Sequence, residues 1–486
     1  MKLSQLLALS GIDYDVKGSD PEITAIEYDS RKVQRGALFV AIKGFQTDGH
    51  DYILKAVSRG ASAVICEKPL YHRNLHIIPV HNSRKMLAYL SQAYYNTYTL
   101  PFKLTGITGT NGKTTLTGLI SYLENKSGLK TASLGTLGFN AQFTIPGISD
   151  RTTPESSELH RIFHYCSQQG VESLAMEVSS IALDLFRVEN VLFDGAVFTN
   201  LSQDHLDFHH TMDAYFFSKA QLFNQLNDEG KAFINTDDVY GNQLYTALNC
   251  KKINCSLKNP LSDYYYSDLN LTTQGLNGII ESPDGSIRVS APLMGQFNAY
   301  NLLQAVAVWR EYHPETGIDT LDLNDFKIIP GRMEIIRTKS HGTVILDFAH
   351  TPDAVEKILK AMSEVPHRKK TVVLGCGGNR DKTKRPDMGR IAEELADRVI
   401  LTNDNPRYED PELIIQDMLK GMKRSDSIDI IQNRAEAIGH ALLNSDSQDL
   451  TFILGKGAET YLEINGEKIP YNDKETVLNW IKKNEN

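Results

Sequence analysis

Short apolar runs alternate with amphipathic helical stretches along the whole chain, and the spacing of these runs divides it into three sections. In residues 1–100, runs at 37–42, 63–66 and 77–80 read as strands, and helical spacing marks 52–59 and 83–95. A polar, aromatic-rich stretch ending at Pro101 closes this section. Between 101 and 330, buried-strand patterns at 102–107, 173–178, 195–199 and 232–235 are separated by helical segments, the rhythm of a parallel sheet flanked by helices. Pro330-Gly331 is a turn signal. From 331 to 486 the rhythm returns, with strands at 344–347, 371–375, 398–401 and 451–454. Helices are predicted at 352–362, 386–396, 411–422 and 475–483, three of them opening on proline, which suits a first turn. The pattern predicts an α/β protein of three domains, 1–100, 101–330 and 331–486, without short repeats or low-complexity segments.

Composition narrows the class. A chain of 486 residues exceeds what one core holds, and its 41% hydrophobic and 23% charged fractions suit a soluble protein with sizeable cores. A net charge of −9 without a long basic run argues against nonspecific nucleic-acid binding, but a local basic pocket could still take an anionic small molecule. The five cysteines, Cys66, Cys166, Cys250, Cys255 and Cys376, form no zinc pattern and read as reduced thiols of a cytoplasmic protein. Leu3, Leu6, Leu7 and Leu9 predict an amphipathic helix rather than a signal peptide, and no apolar run is long enough to span a bilayer.

The strongest chemical signal is Gly106-Ile-Thr-Gly-Thr-Asn-Gly-Lys-Thr-Thr115. It follows a predicted strand and opens a predicted helix from Thr114 to about Lys126. Strand, glycine-rich turn and helix start together aim backbone N–H groups at one point, backed by the positive end of the helix dipole. The candidate nucleotide ligands are Gly109, Thr110, Asn111, Gly112, Lys113, Thr114 and Thr115, with Lys113 able to reach the β/γ-phosphates and the Thr114 hydroxyl able to hold Mg²⁺. The spacing departs from the strict P-loop, since Ile107 stands where that pattern has glycine. A glycine-rich turn containing Gly-Lys-Thr by coincidence is the bland alternative.

Other chemistry-bearing groups follow predicted strands, where ligands of open α/β sheets sit. Glu177 ends the strand at 173–178, where a carboxylate is costly unless it meets a cation or a partner, and Ser179 and Ser180 follow it as donors. Asn200 to His209 follows the next strand and places Asp204, His205, Asp207 and His209 within six positions, which fits metal ligation or an ordinary solvated loop. Lys219, read alone, is a surface lysine.

These motifs occur in an order that resembles the Mur ligases, ATP-dependent amide-forming enzymes that build the peptidoglycan precursor. The resemblance rests on the P-loop, Glu177-Val-Ser-Ser, Asn200–His209, Gly295-Gln-Phe-Asn298-Ala-Tyr-Asn301, Pro330-Gly-Arg332-Met-Glu334 and Asp347-Phe-Ala-His350-Thr-Pro-Asp. Asp29-Ser30-Arg31 with Gly44-Phe-Gln-Thr-Asp-Gly49, Thr152-Thr153 and Asp404-Asn405-Pro406-Arg407 resemble the branch that adds the third amino acid. It covers essentially the whole chain and implies a central P-loop parallel-sheet ATPase domain between an N-terminal UDP-binding α/β domain and a C-terminal Rossmann-like α/β domain. The implied reaction activates the D-glutamate carboxylate of UDP-MurNAc-L-Ala-D-Glu with ATP and adds meso-diaminopimelate to the acyl phosphate.

By that resemblance Lys113, His205, Lys219 and Arg332 are catalytic, and Asn298, Arg332 and Asp347 position ATP with His350 close by. Thr114 and Glu177 hold one Mg²⁺, and His205 and a carbamylated Lys219 serve a second. Ser30, Thr152, Thr153, Ser179 and Arg187 contact the UDP-substrate. Arg380, Asp404, Asn405, Pro406, Arg407, Gly455 and Glu459 contact the amino acid, with Arg407 reading the distal carboxylate that lysine lacks. A surface arginine after a turn is the alternative for Arg407. The implied partners are the nucleotide dipeptide, a diamino acid and ATP, for a monomer without nucleic acid or membrane span. The chain departs from the family at Ile181, Leu185, Gln203 and Ala458, none a phosphate or Mg²⁺ ligand, and several flank substrate pockets. The same ligation with L-lysine or another diamino acid therefore stays open, as does a catalytically silent nucleotide-binding scaffold. A folylpolyglutamate synthase shares the central fold but lacks the Asp29-Ser-Arg domain.

Overall fold

The computed structural model describes residues 1–44, 47–68, 70, 75–149, 151–272, 274–363 and 366–485. Phe45 and Gln46 of the Gly44–Gly49 motif lie outside the described residues. The chain packs as two compact units, one built from Met1–Thr108, Leu123–Val197 and Ser218–Ala232, the other from Gly109–Tyr122, Phe198–Phe217 and Phe233–Asn486.

In the first unit the strands Ala25–Glu27, Ala37–Val40, Ala63–Cys66 and His76–Pro79 pair in that order, all parallel. Alternate residues of one strand enter different cores. Leu38 and Val40 pack with Leu3, Leu6 and Leu87, whereas Ala37 and Phe39 pack with Ile53 and Ala56. A sheet covered on both faces requires such apolar runs without polar alternation. The predicted N-terminal helix is Leu3–Leu9, and the helix at 83–95 is Ser83–Tyr95, capped by the Asn82 side chain on Lys85 N–H. In the same unit Ser173–Glu177 lies between Lys103–Thr108 and Thr131–Gly135, parallel to both, and Gly138–Ala141 returns antiparallel on the last.

The second unit holds a six-stranded sheet in the order Glu334–Arg337, Thr343–Asp347, Leu450–Leu454, Lys370–Leu374, Arg398–Leu401 and Ile428–Ile430. Only the first pair is antiparallel. Ile345, Val372 and Phe452 face one core, and Val344, Val373 and Ile453 face the other. The helices Pro352–Ala361, Arg385–Leu395, Pro411–Leu419 and Asp473–Asn484 match the predicted ones to within about three residues at each end. This arrangement puts residues 347–350, 375–380, 402–407 and 455–459 beyond the carboxyl ends of parallel strands of one sheet, where an open α/β sheet offers its crevice.

The parallel pattern is interrupted between 264 and 291, where no strand was expected. Tyr264–Thr272, Gly275–Ser282 and Gly285–Ala291 form an antiparallel meander. Its strands alternate buried and exposed residues, so they lack the continuous apolar runs that mark the other strands. A small hairpin, Tyr461–Ile464 with Glu467–Pro470, is likewise antiparallel and has no buried residue. The strand expected at 232–235 begins earlier and spans Leu226–Asn235. All five cysteines are free, and among the described residues no helix is long and apolar enough to cross a membrane.

Candidate functional site

In the second unit the glycine-rich turn is held by the segment after residue 198. Thr199 Oγ1 donates to Asn111 O at 2.7 Å, Asn200 Nδ2 donates to the same carbonyl at 3.1 Å, and Asn111 N–H donates to Asn200 Oδ1 at 3.0 Å. Gly109, at φ +140°, passes so close that an added Cβ would sit 1.9 Å from Thr199 Oγ1. Only glycine fits there. The helix Lys113–Lys126 starts directly after the turn. The Lys113 ammonium folds back over the turn, donating to the Gly109 and Thr110 carbonyls at 2.9 Å each. A cation resting on carbonyl oxygens above a helix N-terminus is placed to exchange them for phosphate oxygens.

Arg332 reaches the same place. Its Nη2 donates to Thr114 Oγ1 at 3.0 Å, and its guanidinium stacks 4.5 Å from the Phe348 ring centre. Two features hold this geometry. Gly331, at φ +65°, lies against the turn Gly457–Ala458, where a Cβ would come within 2.2 Å of Ala458 N. Buried Asp347 accepts the Met333 and Ala349 N–H groups at 2.7 Å each. Burial pushes the Asp347 carboxyl up, partly offset by the Arg332 charge. Asn298 is turned inward, donating to Met294 O at 2.9 Å and accepting from Asn301 Nδ2 at 3.0 Å. Asn301, unassigned from the sequence, is the side chain that lies against Gly112.

The four metal-capable groups of the 200–209 loop do not converge. Asp204 is buried and meets Lys384 Nζ at 3.0 Å and the Nε2 atoms of His205 and His350 at 3.5 Å each. Burial works to raise its carboxyl, but His205, Lys384 and His350 outweigh it and hold it well below the usual range. His209 stacks on Tyr215, Asp207 is exposed, and His205 adopts a left-handed backbone, φ +55°, at the start of Leu206–His209. Among the described residues no three His, Cys, Asp or Glu side chains form a metal cluster. Sequence reading missed Lys384, whose run Asp381-Lys-Thr-Lys-Arg385 at the start of a helix was the available signal. Gln203 donates to Asp381 Oδ2 at 3.3 Å and Thr383 Oγ1 at 2.9 Å, tying the loop to that same run.

The C-terminal candidates do converge. Asn405 Nδ2 donates to Glu459 Oε2 at 2.9 Å, and its Oδ1 accepts from Lys456 Nζ at 3.0 Å and Glu463 N–H at 2.9 Å. Asp404 Oδ1 lies 3.8 Å from Lys456 Nζ, and a Cβ on Gly455 would meet Asp404 Oδ2 at 2.6 Å. Pro406 O packs against Gly378. The Arg407 side chain is only 17% exposed, which disposes of the free surface arginine. It donates through Nε to Glu463 Oε2 at 3.0 Å and through Nη1 to Gly378 O at 2.8 Å. Arg380, more exposed, stands near enough for the two guanidinium charges to act on each other.

In the first unit, buried Glu177 accepts from Thr136, at 2.8 Å from its N–H and 3.1 Å from its hydroxyl. Both donors are neutral, and among the described residues no basic side chain pairs with it. An uncompensated carboxylate at 1% exposure fits a cation ligand better than a structural ion pair. Thr136 also meets Thr152, at 3.2 Å between hydroxyls. Thr153 joins the strand end to the next helix: its hydroxyl donates to Glu177 O and accepts from Ser179 N–H, and its carbonyl accepts from Arg187 Nη1 at 3.0 Å. Glu155, which the sequence reading passed over although it follows Thr152-Thr-Pro, collects Arg84, Arg151 and Arg187 at 3.4, 2.6 and 3.1 Å. Three guanidiniums on one buried carboxylate leave a positive surplus suited to an acidic ligand.

Burial pushes the Tyr28 hydroxyl up, and the charges of Arg151, Glu155, Glu158 and Arg187 act on it; Ser30, two residues on, is buried. Ile181 lies half-buried in the short helix Ser180–Asp184, and Leu185 lies half-buried at its C-cap. Lys219 is 1% exposed, so the surface-lysine alternative fails.

Three family descriptions match the chain in succession: the Mur ligase family catalytic domain over residues 22–95, the Mur ligase middle domain over 107–309 and the Mur ligase glutamate ligase domain over 331–457. Proteins named UDP-N-acetylmuramoyl-L-alanyl-D-glutamate–2,6-diaminopimelate ligase are similar over nearly the full length. The one from Bacillus licheniformis is 38% identical and the one from Geobacillus thermodenitrificans 40%, each alignment covering 98% of both chains. A solved structure of an enzyme with that name is 32% identical, with a TM-score of 0.67 over 100% of both chains. A folylpolyglutamate synthase from Mycobacterium tuberculosis, 16% identical at a TM-score of 0.59 over 75% of this chain and 91% of its own, shares the fold alone.

Proposed function

The chain belongs to the Mur ligase family, and on that footing we propose that it joins 2,6-diaminopimelate to UDP-N-acetylmuramoyl-L-alanyl-D-glutamate at the expense of ATP, in peptidoglycan precursor synthesis. The observation that carries the reading is the similarity to ligases of that name over 98% of the chain. The geometry supports it with a glycine-rich turn at a helix start, Arg332 on the Thr114 hydroxyl, and a hydrogen-bonded polar cluster around Asn405 and Arg407. The domains proposed are 1–100 for the UDP-substrate, 101–330 for ATP and 331–486 for the amino acid, in a monomeric cytoplasmic enzyme.

A carboxylate and an amine do not condense in water unaided. The D-glutamate side-chain carboxylate attacks the γ-phosphorus of ATP, ADP departs, and an acyl phosphate forms. The diamino acid's amine then adds to the acyl carbon, and the tetrahedral intermediate expels phosphate as it loses a proton. Each stage concentrates negative charge that Lys113 and Arg332 are placed to stabilise. The Thr114 hydroxyl would hold a Mg²⁺ ion, which when bound supplies charge neutralisation to the phosphates, and Glu177 is suited to a cation by its own unpaired burial. Lys219, buried as it is, fits a carbamate: the neutral amine, once its ammonium has lost a proton, adds to the carbon of CO₂ and releases a second proton, leaving an anion able to serve a cation.

Purified protein should release phosphate only when ATP, Mg²⁺, the nucleotide dipeptide and diaminopimelate are present together, and Lys113→Ala should abolish that release. Turnover with a folate and glutamate instead would overturn the reading. A silent scaffold would release no phosphate under any combination.

A further inference from the structure

Glycine inside a helix weakens it relative to alanine, and Gly118, in the middle of Lys113–Lys126, has no left-handed backbone to require it. Its surroundings supply a packing reason. An added Cβ at 118 would sit 2.5 Å from Ile329 Cδ1 and 4.0 Å from Phe326 Cζ, both on the segment that follows the strand Thr320–Asp322. Thr114, Gly118 and Tyr122 are spaced by four and share one face of the helix, and this segment lays a group on each of them. Tyr122 donates its hydroxyl to Asp325 Oδ1 and packs edge-on against Phe326, with ring centres 5.2 Å apart at 77°. Ile329 covers Gly118, and Arg332 Nη2 reaches Thr114 Oγ1 at 3.0 Å. Residues 325–332 therefore run antiparallel to the helix, from Tyr122 back to its first turn.

Ile329 is tied to Arg332 through the backbone. The Arg332 N–H donates to Ile329 O at 3.0 Å, closing a four-residue turn with Pro330 and Gly331, φ +65°, at its centre. Proline followed by a positive-φ glycine makes such a turn stiff, so a push on one end displaces the other. Contacts with Asp347 and with residues 457–458 hold the far side of this turn. Ile329 on Gly118 holds the near side.

We infer that Gly118 and Ile329 are positioning residues for Arg332. The missing side chain at 118 lets Ile329 lie against the helix, which seats the 329–332 turn where the guanidinium meets the Thr114 end. Neither residue touches a ligand. This role rests on the proposed ligase reading, in which Arg332 stabilises charge on the transferred phosphate. The atom nearest Gly118 is the far end of the Ile329 side chain, which swings aside more easily for one methyl than for an isobutyl group, so alanine is a mild probe and leucine a strong one.

The test compares wild type with Gly118→Ala, Gly118→Leu, Ile329→Ala and Arg332→Ala, and with Gly118→Leu combined with each of the last two. The readouts are kcat for phosphate release with the complete substrate set, affinity for β,γ-methylene ATP with Mg²⁺, and melting temperature. Gly118→Leu should lower kcat by about tenfold or more and Gly118→Ala by about two- to threefold, as a displaced catalytic group does. The melting temperature should hold or rise, because both residues favour a helix more than glycine does. Adding Ile329→Ala to Gly118→Leu should restore about threefold or more of the lost rate, and in the Arg332→Ala background Gly118→Leu should change analogue affinity by less than about twofold. Wild-type kcat in Gly118→Leu overturns the inference and makes the close approach mere packing. A loss that Ile329→Ala does not relieve, or one that persists in full without Arg332, also overturns it. Should leucine prevent folding, Gly118→Ala is read in its place, and a rate equal to wild type overturns the inference. Absence of wild-type phosphate release overturns the ligase reading, and the analogue affinities then decide the positioning role alone.

Discussion

Replacing Lys384 with methionine tests whether the Asp204 cluster is an electrostatic device or merely packing. Lys384 and Asp204 are 6% and 5% exposed and meet at 3.0 Å. Methionine fills most of the lysine stem's volume and removes the charge, leaving Asp204 with two imidazoles at 3.5 Å. Removing one partner of a buried pair costs roughly 3–5 kcal/mol, because the other charge remains desolvated. At about 2–4 °C per kcal/mol for units of 150–250 residues, and less for larger ones, the melting transition of the second unit should fall by roughly 5–15 °C near neutral pH. The pH dependence fixes the sign. Asp204 is held well below 3.8 in the folded protein, so its stabilising contribution is complete above the unfolded value and is lost as pH falls through the folded one. In the variant burial dominates and the folded value rises. The gap between the two proteins is therefore full at neutral pH and closes as acid protonates Asp204, first in the variant and then in wild type. Calorimetry of wild type, Lys384→Met and Lys384→Arg between about pH 3 and 8 measures it. A loss below about 1 kcal/mol, the range of exposed pairs, would show that the imidazoles alone neutralise Asp204. A gap that does not change with pH would refute the charge argument and assign the loss to packing.

Two further outcomes are expected. Arg407→Ala should lower diaminopimelate use by a factor of about 30 to several thousand, from roughly 2–5 kcal/mol for truncating one partner of a buried charge pair, with any basal lysine use far less affected; competition among meso-diaminopimelate, L-lysine and L-ornithine with products identified by mass decides it, and lysine winning in wild type would overturn the assignment of the pocket. Lys219→Ala should depress phosphate release severely and be partly rescued by a short carboxylic acid that restores an anion in the vacated space; full activity in the variant would show that the lysine is buried for packing alone.

What the sequence disclosed and what it concealed follow from one physical distinction. Strands covered on both faces are continuous apolar runs, so Ala63–Cys66 and Arg398–Leu401 were legible residue for residue. The meander from Tyr264 to Ala291 was not, because its half-exposed strands carry polar residues at every second or third position. Site residues divide similarly. Lys113, Glu177 and Arg407 sit in local motifs whose spacing is itself the signal. Glu155, Lys384 and Glu463 matter through partners 4 to 180 residues away, and the local signals beside them, Thr152-Thr-Pro and Asp381–Arg385, do not name those partners. Gln203 and Lys384 make the point sharply: the sequence marks 203 only as a departure from the family, whereas in the fold its amide reaches Asp381 and Thr383, immediately before the lysine that pairs with Asp204.

That pattern bears on why this pocket and this turn share one unit. Asp347, Gly455 and Asp404 all stand at or just beyond the carboxyl ends of parallel strands of the six-stranded sheet, and each anchors a different piece of the site. Asp347 fixes the backbone around Arg332, which lies on Thr114. Gly455 leads into Gly457–Ala458, which packs on Gly331, and into Lys456 and Glu459 around Asn405. Ala458 contributes through its backbone nitrogen against Gly331, so that contact does not depend on which side chain occupies the position. A substitution at 458 can therefore retune what lies beside the pocket while leaving the Arg332 turn in place. The same logic makes Gly331 the more fragile partner: any side chain there would collide with residues 457 and 458 and move both Arg332 and the 455–459 loop at once.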